Sequence, residues 1–279
     1  MNAMNARIRR ANPLGALGAL VWLVIVIIPL YWVVVTSLRS QGGFFTAGQL
    51  ALPHPLTFGN YHLVLSNQFG TYLRNSVIVT AAAVLLVLAV AVMASHGIVR
   101  SGKHRITGTA FNVFLLGLAI PLQATIIPVY YIIAKLHLYD TLLAVILPSA
   151  AFAIPVSVLI LVSFLRDVPG ELFEAMRVDG AGEWKMLWKL VLPLARPALV
   201  AVGIYDSLIV WNGFLFPLIL TQSPGNAVLP LALFNYEGQY AINVPAILAA
   251  VVLSLLPLLA LYAVARRQLL GGLTAGMGK

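Results

Sequence analysis

The chain alternates between long apolar runs and short polar segments. Six runs are long enough to cross a bilayer as helices: Gly15–Leu38, Ser76–Ile98, Thr109–Ala134, Thr141–Leu165, Ala198–Leu220 and Val244–Ala265. In hydrocarbon no water is present to satisfy backbone N–H and C=O groups, so each run is read as a helix that satisfies its own. The pattern predicts an all-α membrane protein with six transmembrane helices. Composition agrees. Hydrophobic residues make up 61% of the 279, charged residues 9%, and mean hydropathy is +0.97; soluble domains hold about 45–50% and about 25% respectively. Arg7, Arg9 and Arg10 precede the first run as in a secretory signal, yet the run is too long for an h-region and ends without an A-x-A-like site, so it is expected to stay as the first helix.

Charge sets the orientation. Of the 17 Lys and Arg residues, Arg39, Arg74 and Lys135 fall on one side of the six-crossing arrangement. The other fourteen fall on the opposite side: Arg7, Arg9 and Arg10; Arg100, Lys103 and Arg105; Arg166, Arg177, Lys185, Lys189 and Arg196; Arg266, Arg267 and Lys279. Positive charge is retained in cytoplasmic loops, so both termini are expected in the cytoplasm. This divides the chain into a cytoplasmic N-terminus (1–14), a membrane domain (15–265) and a cytoplasmic tail (266–279). The net charge of +9 is scattered between apolar runs with no basic stripe, and no nucleic-acid partner is expected. Zero cysteines exclude disulfides, thiolate catalysis and cysteine-ligated metal sites.

Pro29, Pro121, Pro128, Pro148, Pro155, Pro217, Pro245 and Pro257 interrupt most of the crossings. Each proline removes a backbone donor and frees a carbonyl that lipid cannot satisfy, so a neighbouring helix or a water-lined cavity is needed at each kink. Kinked, closely packed helices suit a transport pathway, although proline is in any case commoner in membrane helices than in soluble ones.

The segment Arg166–Pro197 departs from this pattern. It contains Asp167, Glu171, Glu174, Asp179 and Glu183, five of the eight acidic residues, beside five basic ones. Pro169 suits a first helical turn, and Glu171 and Glu174 follow where carboxylates favour the positive end, so a short helix is predicted from Pro169 to Val178. Gly180 and Gly182 then permit a sharp change of direction. Trp184, Leu187, Trp188 and Val191 recur at i, i+3, i+4 and i+7, predicting the apolar face of a second short helix, which Pro193 and Pro197 end. Such a ledge suits a membrane surface or a protein partner. A lipid-surface helix carries mainly Lys and Arg, so the near balance of acids and bases argues for the protein.

The string Glu174-Ala175-Met176-Arg177-Val178-Asp179-Gly180-Ala181-Gly182 resembles the EAA loop of ABC-importer permeases. That pattern continues to an I-x-L-P block, met here by Leu190, Leu192 and Pro193; Met176 stands where the pattern has alanine. Pro169-Gly170-Glu171-Leu172, Trp211-Asn212-Gly213-Phe214-Leu215-Phe216-Pro217-Leu218 and Gly272-Leu273-Thr274-Ala275-Gly276 look like the second permease of maltose-type carbohydrate importers. The resemblance covers nearly the whole chain. It implies a type I ABC-importer permease fold, a heterodimer with a second permease subunit, two ATPase subunits, an extracytoplasmic solute-binding protein and a bacterial inner membrane. It further implies that Glu174, Ala175, Met176, Asp179, Gly180, Ala181 and Gly182 couple to the ATPase, and that ATP and Mg²⁺ are held by that partner.

No cofactor is expected on this chain itself. Gly97–Lys103 nearly spells a phosphate-binding loop, but His104 replaces the hydroxyl residue and a membrane helix precedes the segment where a strand should. HExxH, GxSxG and paired carboxylates are missing, so no enzyme is expected. His54, His62, His96, His104 and His137 show no ligand spacing and suggest no metal.

Asp206 is the only acid inside a crossing, which makes it a functional-site candidate by default, with an interhelical hydrogen bond as the equal alternative. Gly203, Val210, Gly213 and Pro217 share its predicted helical face. Tyr205 and Asn212, Trp211 beside them, and Gln123 between two prolines are candidates for meeting solute, with ordinary packing as the competing explanation. An ion-coupled secondary transporter using Asp206 is the main rival function, but such carriers often show inverted repeats and none is evident.

Overall fold

The computed structural model describes residues 13–101, 105–233 and 242–276. Arg7, Arg9, Arg10, Lys103, His104, Glu237 and Lys279 lie outside the described residues. The fold is helical throughout, in two compact units drawn from Met1–Ser66 with Tyr236–Leu253 and from Asn67–Asn235 with Ser254–Lys279.

In the first unit α1 (Pro13–Ser37) carries the first apolar run, and its side chains are uncovered along most of its length. α2 (Gln41–Thr46) starts at Ser40, whose hydroxyl accepts from Gly43 N–H at 3.1 Å, and α3 is Gly59–Ser66. Arg39 is buried at the end of α1. Its Nη2 donates to the carbonyls of Gly48 (3.0 Å), Gln49 (3.3 Å) and Ala51, gathering the loop after α2 around one guanidinium. Asn60 Nδ2 closes the base of that loop by donating to Ser37 and Arg39 carbonyls at 2.8 and 2.7 Å.

The second unit begins with α4 (Phe69–Arg100), whose 32 residues span about 48 Å at the helical rise. The third apolar run is not one rod. α5 (Arg105–Gly117) and α6 (Ile126–Lys135) are joined through a 3₁₀ turn at Leu122–Thr125 and bent by 96°. Pro121 cannot continue an α-helical ladder and precedes that turn in an extended conformation, which accounts for the break. α7 (Leu142–Arg166) starts where the Thr141 hydroxyl accepts from Ala144 N–H at 3.3 Å, and it carries Pro148 and Pro155 without interruption. α7 packs along α4 through small side chains: Ala83 and Ala91 on α4, Ala150 and Ala153 on α7, all buried. Between membrane helices the gain comes from close packing, and alanine lets backbones approach.

Beyond α7, α8 (Gly170–Val178) matches the predicted short helix, with Pro169 just before its first turn. The next prediction is corrected. Pro193 and Pro197 do not end a second short helix: α9 (Glu183–Met186), a π-helical turn at Leu187–Val191 and α10 (Leu192–Trp211) form one continuous span of 29 residues. The widened turn, in which Leu192 N–H donates to Leu187 C=O, is the helix's way of taking up Pro193, which has no donor of its own. The π turn also breaks the 3.6-residue periodicity. Leu187 and Val191 are buried, whereas Trp184 and Trp188 stand 66% and 64% exposed, so the four do not form one face.

The fifth run breaks again after Trp211. α11 (Leu215–Leu220) follows a kink at Asn212–Phe214, so Gly213 and Pro217 do not share a continuous helical face with Asp206; Gly203 and Val210 do. α12 (Leu229–Ala232) and α13 (Val244–Gly276) complete the described chain, and α13 carries the last apolar run onward through Gly276. Among the described residues, α1, α4, α7, the α9–α10 span and α13 are long and apolar enough to cross a membrane, and there are six such elements if the bent α5–α6 pair is taken as one broken span.

Candidate functional site: an exposed corner and an aromatic cavity

α8 and α9 meet at a corner whose geometry follows from Gly180. Gly180 has φ +72°, a left-handed conformation that costs an L-residue about 1–2 kcal/mol and costs glycine little. Two bonds then close the end of α8: Gly180 N–H donates to Arg177 C=O at 3.0 Å, and Ala181 N–H reaches back to Met176 C=O at 2.9 Å. This is a Schellman cap, and the apolar residue that follows the glycine, Ala181, is buried as such caps favour. Gly182 then precedes α9 in an extended conformation.

The corner has an inward and an outward side. Phe173, Ala181, Met186 and Leu187 belong to a buried cluster with Val158, Leu161 and Leu165 of α7 and Val191, Ala195 and Val202 of the α10 span. Met176, half-buried, packs against that cluster, which gives the side chain longer than alanine an apolar place to lie. Glu174, Ala175, Asp179, Gly180 and Gly182 face outward and are exposed. The seven residues that the resemblance links to the ATPase therefore divide: five on the surface, Ala181 in the core and Met176 half-buried against it.

Charged groups beneath the corner form a cluster that sequence reasoning missed. The Glu183 carboxylate lies 3.1 Å from His96 Nε2 and 3.6 Å from Arg100 Nε on one oxygen, and 3.4 Å from Arg177 Nη2 on the other. Arg100 stacks over the Phe173 ring at 4.8 Å, and the His96 ring lies 6.5 Å from it at 29°. Gly97–Arg100, the start of the near phosphate-binding string, is the last turn of α4.

A cavity of about 290 Å³ opens nearer the other end of α4, α7 and α10. Tyr205, Trp211, Phe152, Phe214 and Phe216 line it, with Ser76, Thr80 and Ser149 among the other lining residues. Two sequence candidates, Tyr205 and Trp211, come together here. Asp206, Asn212 and Gln123 do not line it. Asp206 is fully buried, 2.8 Å from Ser157 Oγ; Asn212 ends α10 and its Nδ2 donates to Leu208 C=O at 2.7 Å; Gln123 is exposed in the 3₁₀ turn.

Above the cavity one acid organises the loop after α11. Asp140 Oδ1 accepts from Gln222 and Ser223 N–H, both at 2.9 Å, and Oδ2 accepts from the Ser223 hydroxyl. These bonds, the Ser223 hydroxyl first among them, push the Asp140 carboxyl down to about 2. Asn75 Nδ2 holds the same loop through Gly225 and Ala227 carbonyls at 2.8 and 2.9 Å. No group of three or more potential metal ligands occurs among the described residues.

The long apolar helices define a multi-pass membrane protein. Residues 89–269 match the family model described as the inner membrane component of binding-protein-dependent transport systems. The chain belongs to this family, and is an ABC transporter permease subunit, a transport component and not an enzyme. It is 37% identical to a putative ABC transporter permease of a Caldicellulosiruptor species, over 93% of this chain and 94% of that one. It is 34% identical to the diacetylchitobiose uptake system permease of Streptomyces coelicolor, over 92% of this chain and 85% of that one. In fold it is similar to a chain from the crystal structure of a bacterial ABC transporter involved in the import of the acidic polysaccharide alginate, with a TM-score of 0.79 at 19% identity, covering 95% of this chain and 99% of that one.

Proposed function

We propose that this chain is one permease of a heterodimeric, ATP-driven, binding-protein-dependent importer of a sugar or sugar derivative in a bacterial inner membrane, and forms half of the translocation pathway. The corner faces the cytoplasm, as do both termini, and docks into a groove of an ATPase subunit. Two such subunits hold the ATP and Mg²⁺; a solute-binding protein delivers cargo on the other side. Lipid and the second permease share the uncovered apolar surface, α1 included.

The observation that carries this reading is the corner itself. Its polar side is presented outward while its apolar side is fused to the core of α7 and α10, so force applied at Glu174 or Gly182 is delivered to membrane helices. Support for a carbohydrate comes from the diacetylchitobiose permease and from the cavity, whose aromatic lining suits the apolar face of a sugar ring. An ion carrier using Asp206 is less well supported, since that carboxyl is buried against Ser157 and lies outside the cavity lining.

The test is reconstitution of the purified complex in vesicles with its binding protein. Uptake should require ATP inside, should stop with vanadate, and should be lost in Glu174→Ala while the variant still inserts. Uptake driven by an ion gradient without ATP would overturn the reading.

A further inference from the structure

Resting on the reading of α8 as the coupling element, we propose that Glu183 is a positioning residue: it pins the end of α4 to the α8–Gly180–α9 corner, so that corner and membrane helix move as one body. α8 has nine residues, too few to hold a helix alone, so it owes its direction to what it touches, while α9 continues through the π turn into α10. Apolar contacts fix it to α7 and α10. Ala91, Val92 and Ile98 of α4 belong to the same apolar cluster, and the charged link between α4 and the corner is Glu183.

The carboxylate uses both oxygens on separate elements. Oε2 faces His96 and Arg100 on α4 at 3.1 and 3.6 Å, and Oε1 faces Arg177 on α8 at 3.4 Å. Arg100 and His96 in turn clasp the buried Phe173 of α8 from the α4 side. Exposed ion pairs contribute little; here the α4 partners are only 8% and 16% exposed while the Glu183 side chain is 53% exposed, so that half of the cluster is shielded from one side. Glu171, Glu174 and Asp179, the other acids of the corner, make no ion pair among the described residues, which leaves Glu183 as the one acid there that bridges elements.

Glu183→Gln keeps the shape and removes the charge. Two measurements test the pin. Spin labels at Gly97→Cys and Gly170→Cys, in a chain with no other cysteine, report the distance between α4 and α8; a Cβ at either glycine meets nothing within 4 Å. The full chain in nanodiscs should give one narrow distance distribution, and Glu183→Gln a broad one. In the reconstituted importer, Glu183→Gln should hydrolyse ATP at the unaltered rate or faster while uptake per ATP falls at least about 5-fold, the lower end of coupling between sites, with partial recovery in Glu183→Asp. Arg100→Gln, which breaks the same link from the other side, should act in the same direction if Glu183→Gln does not fold. An unchanged distribution, or unchanged uptake per ATP, overturns the pin. Uptake by the unaltered complex that needs no ATP would instead overturn the proposed function, and the label distances would still decide the pin.

Discussion

Gly117 and Pro155 touch where the end of α5 meets α7: a Cβ placed on Gly117 would lie 2.9 Å from Pro155 Cγ. The last residue of α5 thus rests directly on the ring inside α7, at the point where the third crossing turns through 96°. Gly117→Ala should be destabilising by about 1–3 kcal/mol, the usual cost of overpacking. Thermal unfolding in detergent checks this. Gly117→Ala combined with Pro155→Ala should recover much of the loss, since the clash is with the ring alone.

Ser157 Oγ lies 3.0 Å from Ala153 C=O and 2.8 Å from Asp206 Oδ2, but a hydroxyl has one proton to donate. Asparagine at 206 donates an N–H to Ser157 Oγ and releases the serine proton for the carbonyl. Asp206→Asn should therefore keep thermal stability and uptake. Asp206→Leu should lose about 1–2 kcal/mol of stability, in the range of interhelical hydrogen bonds in membranes. Abolition of uptake by Asp206→Asn in a normally folded complex would favour the ion-carrier reading.

Asp140 supplies a pH dependence. Its carboxyl is pushed down to about 2 by Ser223 and Gln222, below the unfolded value of about 3.9. A depressed carboxylate contributes stability that is fully present above the unfolded value and is lost as pH falls through the folded one. The loop at Gln222–Ser223 should therefore loosen between about pH 4 and pH 2, and Asp140→Asn should loosen it at neutral pH. Hydrogen exchange at the Gln222 and Ser223 amides measures both; protection that survives in Asp140→Asn would remove the carboxylate from its organising role.

The open space around Gly180 means that a side chain there meets only backbone strain. Gly180→Asn should be tolerated because asparagine visits the left-handed region, whereas the β-branched Gly180→Val should cost at least about 1–2 kcal/mol at the cap. With insertion equal by protease protection, uptake in the Asn variant should exceed that in the Val variant severalfold; equal uptake would show that the corner needs no fixed angle.

How much of this was legible in the sequence depended on whether the governing physics is local. The six apolar runs were legible because hydrocarbon thickness sets their length, and α8 was legible because Pro169, Glu171 and Gly180 mark its ends. The π turn was not: Pro193 and Pro197 read as terminators, since sequence does not display a helix widening to take up a missing donor. Gly117 and Pro121 stood in the chain, but a run of apolar residues conceals the bend they produce. His96 and Glu183 are 87 positions apart, and Asp206 and Ser157 are 49 apart. Neither pair leaves a periodic trace, although the cost of burying Asp206 announced that some partner existed. Tyr205 and Trp211 were legible as aromatics; their meeting around one cavity depended on the break at Asn212–Phe214.

The π turn at Leu187–Val191 amounts to one residue more than a regular helix needs. Because that residue is absorbed locally, deleting it would leave both halves of the span facing as they do, whereas deleting a residue from the regular helix beside it would swing the Glu183 half by about 100°, the angle allotted to each helical residue. His96 and Arg100 would then face a different side of the rod. The π turn is thus a place where the span can lose a codon and keep its elbow aimed as before.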